Sequence, residues 1–226
     1  METINIALPK GRLLEPSLDI LRSAGIPVPE SKEWGRAAVL DLSADGVKIF
    51  VIRDDDVPTY VAQGVADLGV VGKDVLLETG GEIFELFDLK QGFCRLVVAV
   101  PKEKQNDCLK SKSGSNRLRV VTKYPRITAD YFRQTGVLAE IITVQGATEL
   151  APSVGLADIV VDVVASGRTL AENNLVEIEE IATCTARLVA NPASYRLKGD
   201  IIWPLVENIR HIVENMSKAG ENIENN

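Results

Sequence analysis

The chain has 226 residues, 46% of them apolar but only 5% aromatic, and a formal charge of −7. That length suits one large or two small domains with a sizeable core. The acidic balance argues against broad nucleic-acid binding, which relies on a basic surface, but leaves room for a local cationic site taking small anions. No apolar stretch approaches the roughly 20 residues that span a bilayer. The first residues enter a strand-like run without a basic region and long apolar core, so no secretory signal is expected and a soluble, cytoplasmic protein is. Cys94, Cys108 and Cys184 lie far apart with no C-x-x-C spacing, which makes a disulfide framework or cysteine zinc site unexpected. The single histidine, His211, falls in a C-terminal helical stretch and reads as a surface residue. One remote histidine leaves little scope for Ser-His-Asp, Cys-His or His-rich metal chemistry.

In chain order, Ile4 to Pro9 reads as a first strand and Pro9-Lys10-Gly11-Arg12 as a loop. Leu13, Leu14, Leu18 and Leu21 then mark one face of a helix running to Ala24, with Pro16 near its start. Val47 to Arg53 is a second strand, Val57 to Gln63 a helix opening on Pro58, and Asp67 to Val71 a strand feeding a helix through Lys73 and Asp74. Leu96 to Val100 is a strand, and Pro101 to Asn116 a loop or weak helix. Strands follow at Val120 to Thr122, Ile141 to Val144, Asp158 to Val164 and Ile181 to Val189. Helical segments are expected at Ile127 to Gln134, Glu149 to Gly155 and Gly199 to Met216, with a polar tail over 217–226. Strands alternate with helices, so the class is α/β with mostly parallel sheet.

Gly64-Val65-Ala66-Asp67-Leu68 is echoed by Gly155-Leu156-Ala157-Asp158-Ile159, each followed by valines and a polar turn. Such a repeat suggests two related lobes. Clefts between α/β lobes collect ligands at the carboxyl ends of strands.

The segment from Asp158 to Leu170 carries the most chemistry. An aliphatic strand ends near Val164, and Ala165, Ser166 and Gly167 then form a small-residue turn before Arg168, Thr169 and Leu170. A phosphate can approach the N–H groups of such a turn, aided by a hydroxyl and a helix start. Asp162, near the strand's carboxyl end, can accept hydrogen bonds from two adjacent ribose hydroxyls. A carboxylate for the diol beside an amide cradle is what a ribose-5-phosphate site requires. The same residues can equally serve as a turn that uses Gly and Thr for geometry alone.

Lys10 and Arg12 flank Gly11 at a helix start, where cations oppose the helix dipole and so point to an anionic partner. Arg36 and Arg53 can join them, though surface charges or ion pairs account for such residues as well. Thr122-Lys123-Tyr124-Pro125 and Gly146-Ala147-Thr148-Glu149 both follow strands. Glu149 can read a ribose or an amino group, or cap its own turn.

Taken in order, LPKGRL, RDDDVPTYV, GVADLGVVGKDVL, TKYP and ADIVVDVVASGRTLAEN resemble the motifs of the short-form ATP phosphoribosyltransferases, from Ile4 to about Trp203. The resemblance implies a two-lobed α/β fold like that of type II periplasmic binding proteins, with mixed or parallel sheets and an active-site cleft between lobes. It places the lobes at 1–94 plus 184–216 and at 95–183. It implies joining of adenine N1 of ATP to phosphoribosyl pyrophosphate with release of pyrophosphate, assisted by Mg²⁺, at the start of histidine biosynthesis. Asp162 and Ala165, Ser166, Gly167, Arg168, Thr169 and Leu170 would bind phosphoribosyl pyrophosphate. Arg12 and Arg36 would be catalytic, with no protein atom assigned to the metal. Lys10, Gly11, Arg53, Lys123, Tyr124 and Glu149 are candidates for ATP. The implied assembly is a homodimer of catalytic chains that joins a regulatory subunit resembling histidyl-tRNA synthetase in a hetero-octamer.

Two other classes fit less of the chain. A solute-binding or effector-sensing module would be expected to carry an export signal or DNA-binding segment. A nucleobase phosphoribosyltransferase of the other major fold would be expected to show adjacent acidic residues before its Gly-Thr turn, where Val163 and Val164 follow Asp162 here.

Overall fold

Aliphatic runs build the centres of two sheets, and the chain crosses between them twice. The computed structural model describes residues 3–30, 38–105 and 117–224. It divides into two compact units, Met1–Gly92 with Thr185–Asn226, and Phe93–Cys184. No helix among the described residues is long and apolar enough to cross a membrane.

The first unit holds β1 (Ile4–Pro9), α1 (Leu14–Ser23), β2 (Val39–Leu42), β3 (Val47–Ile52), α2 (Val57–Ala62), β4 (Leu68–Gly72), α3 (Lys73–Thr79) and β5 (Phe84–Asp88). The second runs from β6 (Cys94–Pro101) through β7 (Leu118–Thr122), α4 (Pro125–Thr135), β8 (Ala139–Thr143), β9 (Ile159–Val164) and α5 (Arg168–Glu172) to β10 (Leu175–Cys184). The chain then returns to the first unit as β11 (Ala186–Ala190), α6 (Pro192–Leu197) and α7 (Gly199–Glu224). The sheet orders are β2-β3-β1-β4-β11-β5 and β10-β6-β9-β7-β8.

Each sheet has a parallel run: β3-β1-β4 at the centre of the first, and β9-β7-β8, ending at the β8 edge, in the second. The remaining strand pairs are antiparallel, so the sheets are mixed rather than mostly parallel. The inner parallel strands are buried: Leu8, Ile49 and Leu68 in the first sheet, and Val120, Ile159 and Val161 in the second, are 0% exposed. Each such side chain contributes roughly 1.5–3 kcal/mol by leaving water. On α7, Ile202, Val206, Ile209 and Val213 are buried at helical spacing and close the first core. His211 is exposed on the same helix.

Three sequence expectations change. The run Ile181 to Val189 is two strands, broken at Thr185 where the chain leaves the second unit. β2 and β5 were not foreseen, because each lies at a sheet edge and alternates with carboxylates in a way that weakens the aliphatic signal. The helix expected to stop at Met216 continues to Glu224.

The echoed Gly-x-Ala-Asp segments occur once in each unit and make the same bonds. Asp67 N–H donates to Asn5 O at 2.8 Å while Asp67 Oδ2 accepts from Asn5 N at 2.8 Å. Asp158 N–H likewise donates to Arg119 O at 2.8 Å, and Asp158 Oδ2 accepts from Arg119 N at 3.1 Å. Each aspartate therefore clips the start of its parallel strand to the neighbouring strand. Asp67 is only 2% exposed and pairs with Lys198 Nζ at 3.0 Å. Asp158 pairs with the more exposed Arg119 at 3.1 Å, which holds its carboxyl below the usual range despite partial burial.

Asp67→Ala, which removes the carboxylate partner of Lys198 and of the Asn5 amide, should cost about 3 kcal/mol, whereas Asp158→Ala should cost about 1 kcal/mol. Urea denaturation of the two variants measures both. Equal costs would show that burial does not separate the two clips.

Candidate active site

The carboxyl end of β9 opens into a cavity of about 200 Å³ in the second unit. Its lining contains Thr148, Glu149, Asp162 and every residue from Val163 to Leu170. β9 lies between β6 and β7, with Asp162 opposite Val97 and Val161 opposite Thr122, so both neighbours fix the height at which Asp162 stands. Ala165, Ser166, Arg168 and Thr169 are exposed. Gly167, with φ +74°, takes the left-handed turn into α5 and leaves the space where a Cβ would sit almost open. Leu170 is 8% exposed and packs in the core, so only its backbone is offered to a ligand. With five residues, α5 is short, and the attraction for an anion therefore comes mainly from loop amides rather than from a long helix dipole.

Asp162 is partly buried. Its Oδ1 accepts from the Val163 N–H at 2.7 Å, and its Oδ2 accepts from the Thr148 hydroxyl. Burial pushes its carboxyl above the ordinary value of 3.8; the Thr148 and Val163 donors oppose that, the Glu149 carboxylate adds to it, and Lys123 opposes it. Each carboxylate oxygen has further lone pairs for a ligand hydroxyl. Glu149 lies in a 3-10 turn, Thr148–Leu150, which has no side-chain cap at its start, so Glu149 is left to the cavity wall.

Lys123 and Tyr124 separate. Lys123 acts on Asp162 and lies with its ammonium 5.9 Å from the Tyr124 ring centroid. Tyr124 is 3% exposed within a core cluster, a placement that gives its ring to packing. The turn between them is set by the Tyr124 N–H, which donates to Thr122 Oγ1 at 2.8 Å.

In the first unit, Lys10, Gly11 and Arg12 are exposed just beyond β1. Gly11 has φ +87°, and nothing stands within 4 Å of the position a Cβ would take. The Lys10 N–H donates to Ile52 O at 2.7 Å, and Pro9 is in register with Ile52, which sets Lys10 beside exposed Arg53. Three cationic residues thus share the carboxyl ends of two parallel strands. Arg36 and Cys108 lie outside the described residues. The residue that sequence reading passed over is Thr148; its only signal was a hydroxyl beside Glu149 after a strand, which is common in turns.

A family profile described as ATP phosphoribosyltransferase matches residues 53–217. An ATP phosphoribosyltransferase of Symbiobacterium thermophilum is 47% identical over 97% of this chain and 99% of its own length. One from Moorella thermoacetica is 43% identical over 97% and 96%. Among solved structures, the Thermotoga maritima ATP phosphoribosyl transferase (HisG:HisZ) complex contains a chain 33% identical, with TM-score 0.80, covering 94% of this chain and all of that one. The periplasmic aliphatic sulphonate binding protein SsuA of Escherichia coli matches with TM-score 0.58 at 13% identity, a likeness of fold alone. That fold is of the type II periplasmic-binding-protein kind.

An ionised carboxylate held above its ordinary pKa costs the folded state free energy at neutral pH. Asp162→Asn keeps the shape and still accepts the Val163 N–H. It should raise the melting temperature at pH 7, and the gain should fade as pH drops through the Asp162 pKa toward 3.8. Thermal denaturation across pH tests this; a variant less stable than its parent at pH 7 contradicts it.

Proposed function

The chain belongs to the ATP phosphoribosyltransferase family, the pentosyltransferases that open histidine biosynthesis by joining ATP to phosphoribosyl pyrophosphate, and from that premise we propose how its residues divide the reaction. The observation that carries the reading is the cavity at the end of β9, where the Asp162 carboxylate and a run of loop amides share a wall. Asp162 accepts the two ribose hydroxyls. The amides from Ala165 to Leu170, with the Ser166 and Thr169 hydroxyls and the Arg168 cation, hold the 5′-phosphate. Lys10, Gly11 and Arg53 serve ATP in the first unit, Lys123 and Glu149 serve it in the second, and Arg12 and Arg36 stabilise the departing pyrophosphate. The first unit is thus the catalytic lobe and the second the sugar-phosphate lobe.

The chemistry asks for charge stabilisation more than for proton transfer. Adenine N1 already carries a lone pair, so its attack on the anomeric carbon needs no general base. The barrier lies in parting negative pyrophosphate from a ribosyl centre that gains positive character. Asp162 fixes the ribose while the loop fixes its phosphate, so the anomeric carbon is presented in one orientation. Arginine donors meet the growing negative charge on the leaving group. Mg²⁺ supplies further neutralisation when bound to the phosphates. Among the described residues no three His, Cys, Asp or Glu side chains converge as a metal cage; phosphate oxygens are ordinary Mg²⁺ ligands, so the ion fits as a companion of the substrate.

The Thermotoga maritima neighbour is a two-protein complex. We extend that arrangement to this chain: catalytic homodimers with a regulatory subunit resembling histidyl-tRNA synthetase, in a hetero-octamer in the cytoplasm.

Purified protein given ATP, phosphoribosyl pyrophosphate and Mg²⁺ should release pyrophosphate and form N1-(5-phosphoribosyl)-ATP, with and without the regulatory subunit. Use of free adenine but not ATP would overturn the assignment. Arg12→Ala should lower kcat by about 100-fold or more with a smaller rise in KM. The reverse pattern in steady-state kinetics would move Arg12 to ground-state binding.

A further inference from the structure

Thr148 is 2% exposed, although its neighbours on both sides are more open. The residue before it, Ala147, adopts a left-handed backbone with φ 52°, unusual for a side chain other than glycine. That turn swings Thr148 inward at the start of the 3-10 turn Thr148–Leu150, and its hydroxyl donates to Asp162 Oδ2. A buried hydroxyl without a partner is costly, as is a buried carboxylate without donors. The two groups therefore fix one another. With the Val163 N–H on Oδ1, each oxygen of Asp162 has one protein donor. A carboxylate can accept about four hydrogen bonds, so lone pairs on both oxygens are left for the cavity.

We infer that Thr148 is a positioning residue for phosphoribosyl pyrophosphate: acting through Asp162, it turns the carboxylate so that both oxygens address the ribose diol. This rests on the assignment of Asp162 to the ribose. The hydroxyl has a second effect, because a donor to a carboxylate favours the ionised form that the diol requires. Lys123 acts in the same direction, whereas Glu149 and burial act against it. Loss of the Thr148 donor should thus raise the Asp162 pKa. Affinity, which needs the carboxylate, then starts to fail at a higher pH as acid is added.

The test is titration calorimetry of the full chain with phosphoribosyl pyrophosphate and Mg²⁺, from about pH 4 to about pH 8, on Thr148→Val, Thr148→Ser and Asp162→Asn. The ratio of variant to parent Kd removes the ligand's own ionisation. Thr148→Val should bind about tenfold more weakly at the acid end, with the deficit narrowing as pH rises and ATP affinity unchanged. Thr148→Ser, which keeps the hydroxyl, should restore both affinity and pH profile. A valine variant with the parent's affinity and profile overturns the role of Thr148, as does a serine variant as weak as valine. If Asp162→Asn binds as tightly as the parent, the ribose assignment itself falls. If that variant loses binding while Thr148→Val does not, only the positioning role falls.

Discussion

The second unit holds one carboxylate, Asp162, in a half-closed pocket by its strands and its hydrogen bonds. Asp162 stands where burial opposes ionisation. It is held there by strands on either side, opposite Val97 on β6 and next to the Val161–Thr122 pair on β7. Its protein partners are a hydroxyl and an amide rather than a guanidinium. That choice preserves its use. A carboxylate closed by a bidentate arginine has little left to offer a ligand, whereas one steadied by two neutral donors keeps lone pairs and charge.

The other strand-end aspartates show the contrast. Asp67 and Asp158 sit at the opening of β4 and β9, each clipped to an adjacent backbone and each paired with a cation, Lys198 or Arg119. Those carboxylates are spent on holding strands in register. One sheet therefore carries a strand-clipping aspartate at the beginning of β9 and a cavity-lining one near its end. The partners, not the residue type, separate the two jobs.

Much of this was legible in the chain. Ile4–Pro9 was read as a strand to the residue, because a short aliphatic run bounded by Pro and Gly has one good reading. The repeated Gly-x-Ala-Asp turn announced two units, because the same backbone problem recruits the same residues. The small-residue loop after β9 was legible for the same reason. What escaped depended on tertiary position. β2 and β5 are edge strands whose pattern is diluted by charge, and the strand-like pattern of Ile181 to Val189 runs through Thr185 although a lobe boundary was expected beside it. Tyr124 was put forward for a nucleotide when its ring belongs to the core. Thr148 was passed over because its value comes from a carboxylate fourteen residues away in sequence.

The pairing of Cys94 with Cys184 bears on how the chain acquires its shape. These residues open β6 and close β10, and they are register partners, so the second unit begins and ends at one place. In the first unit β5 and β11 pair as a hairpin, with Arg187 opposite Asp88 and the Ala186 N–H bonded to Gln91 O at 2.8 Å. The whole second unit is, topologically, the tip of that hairpin. Joining distant segments ordinarily costs entropy that grows with the intervening contour. If the tip is already folded, its two ends emerge side by side, and β11 finds β5 as if only a tight turn lay between them. The order of events on the nascent chain is thereby favoured: the interrupted sheet is completed last, after its guest.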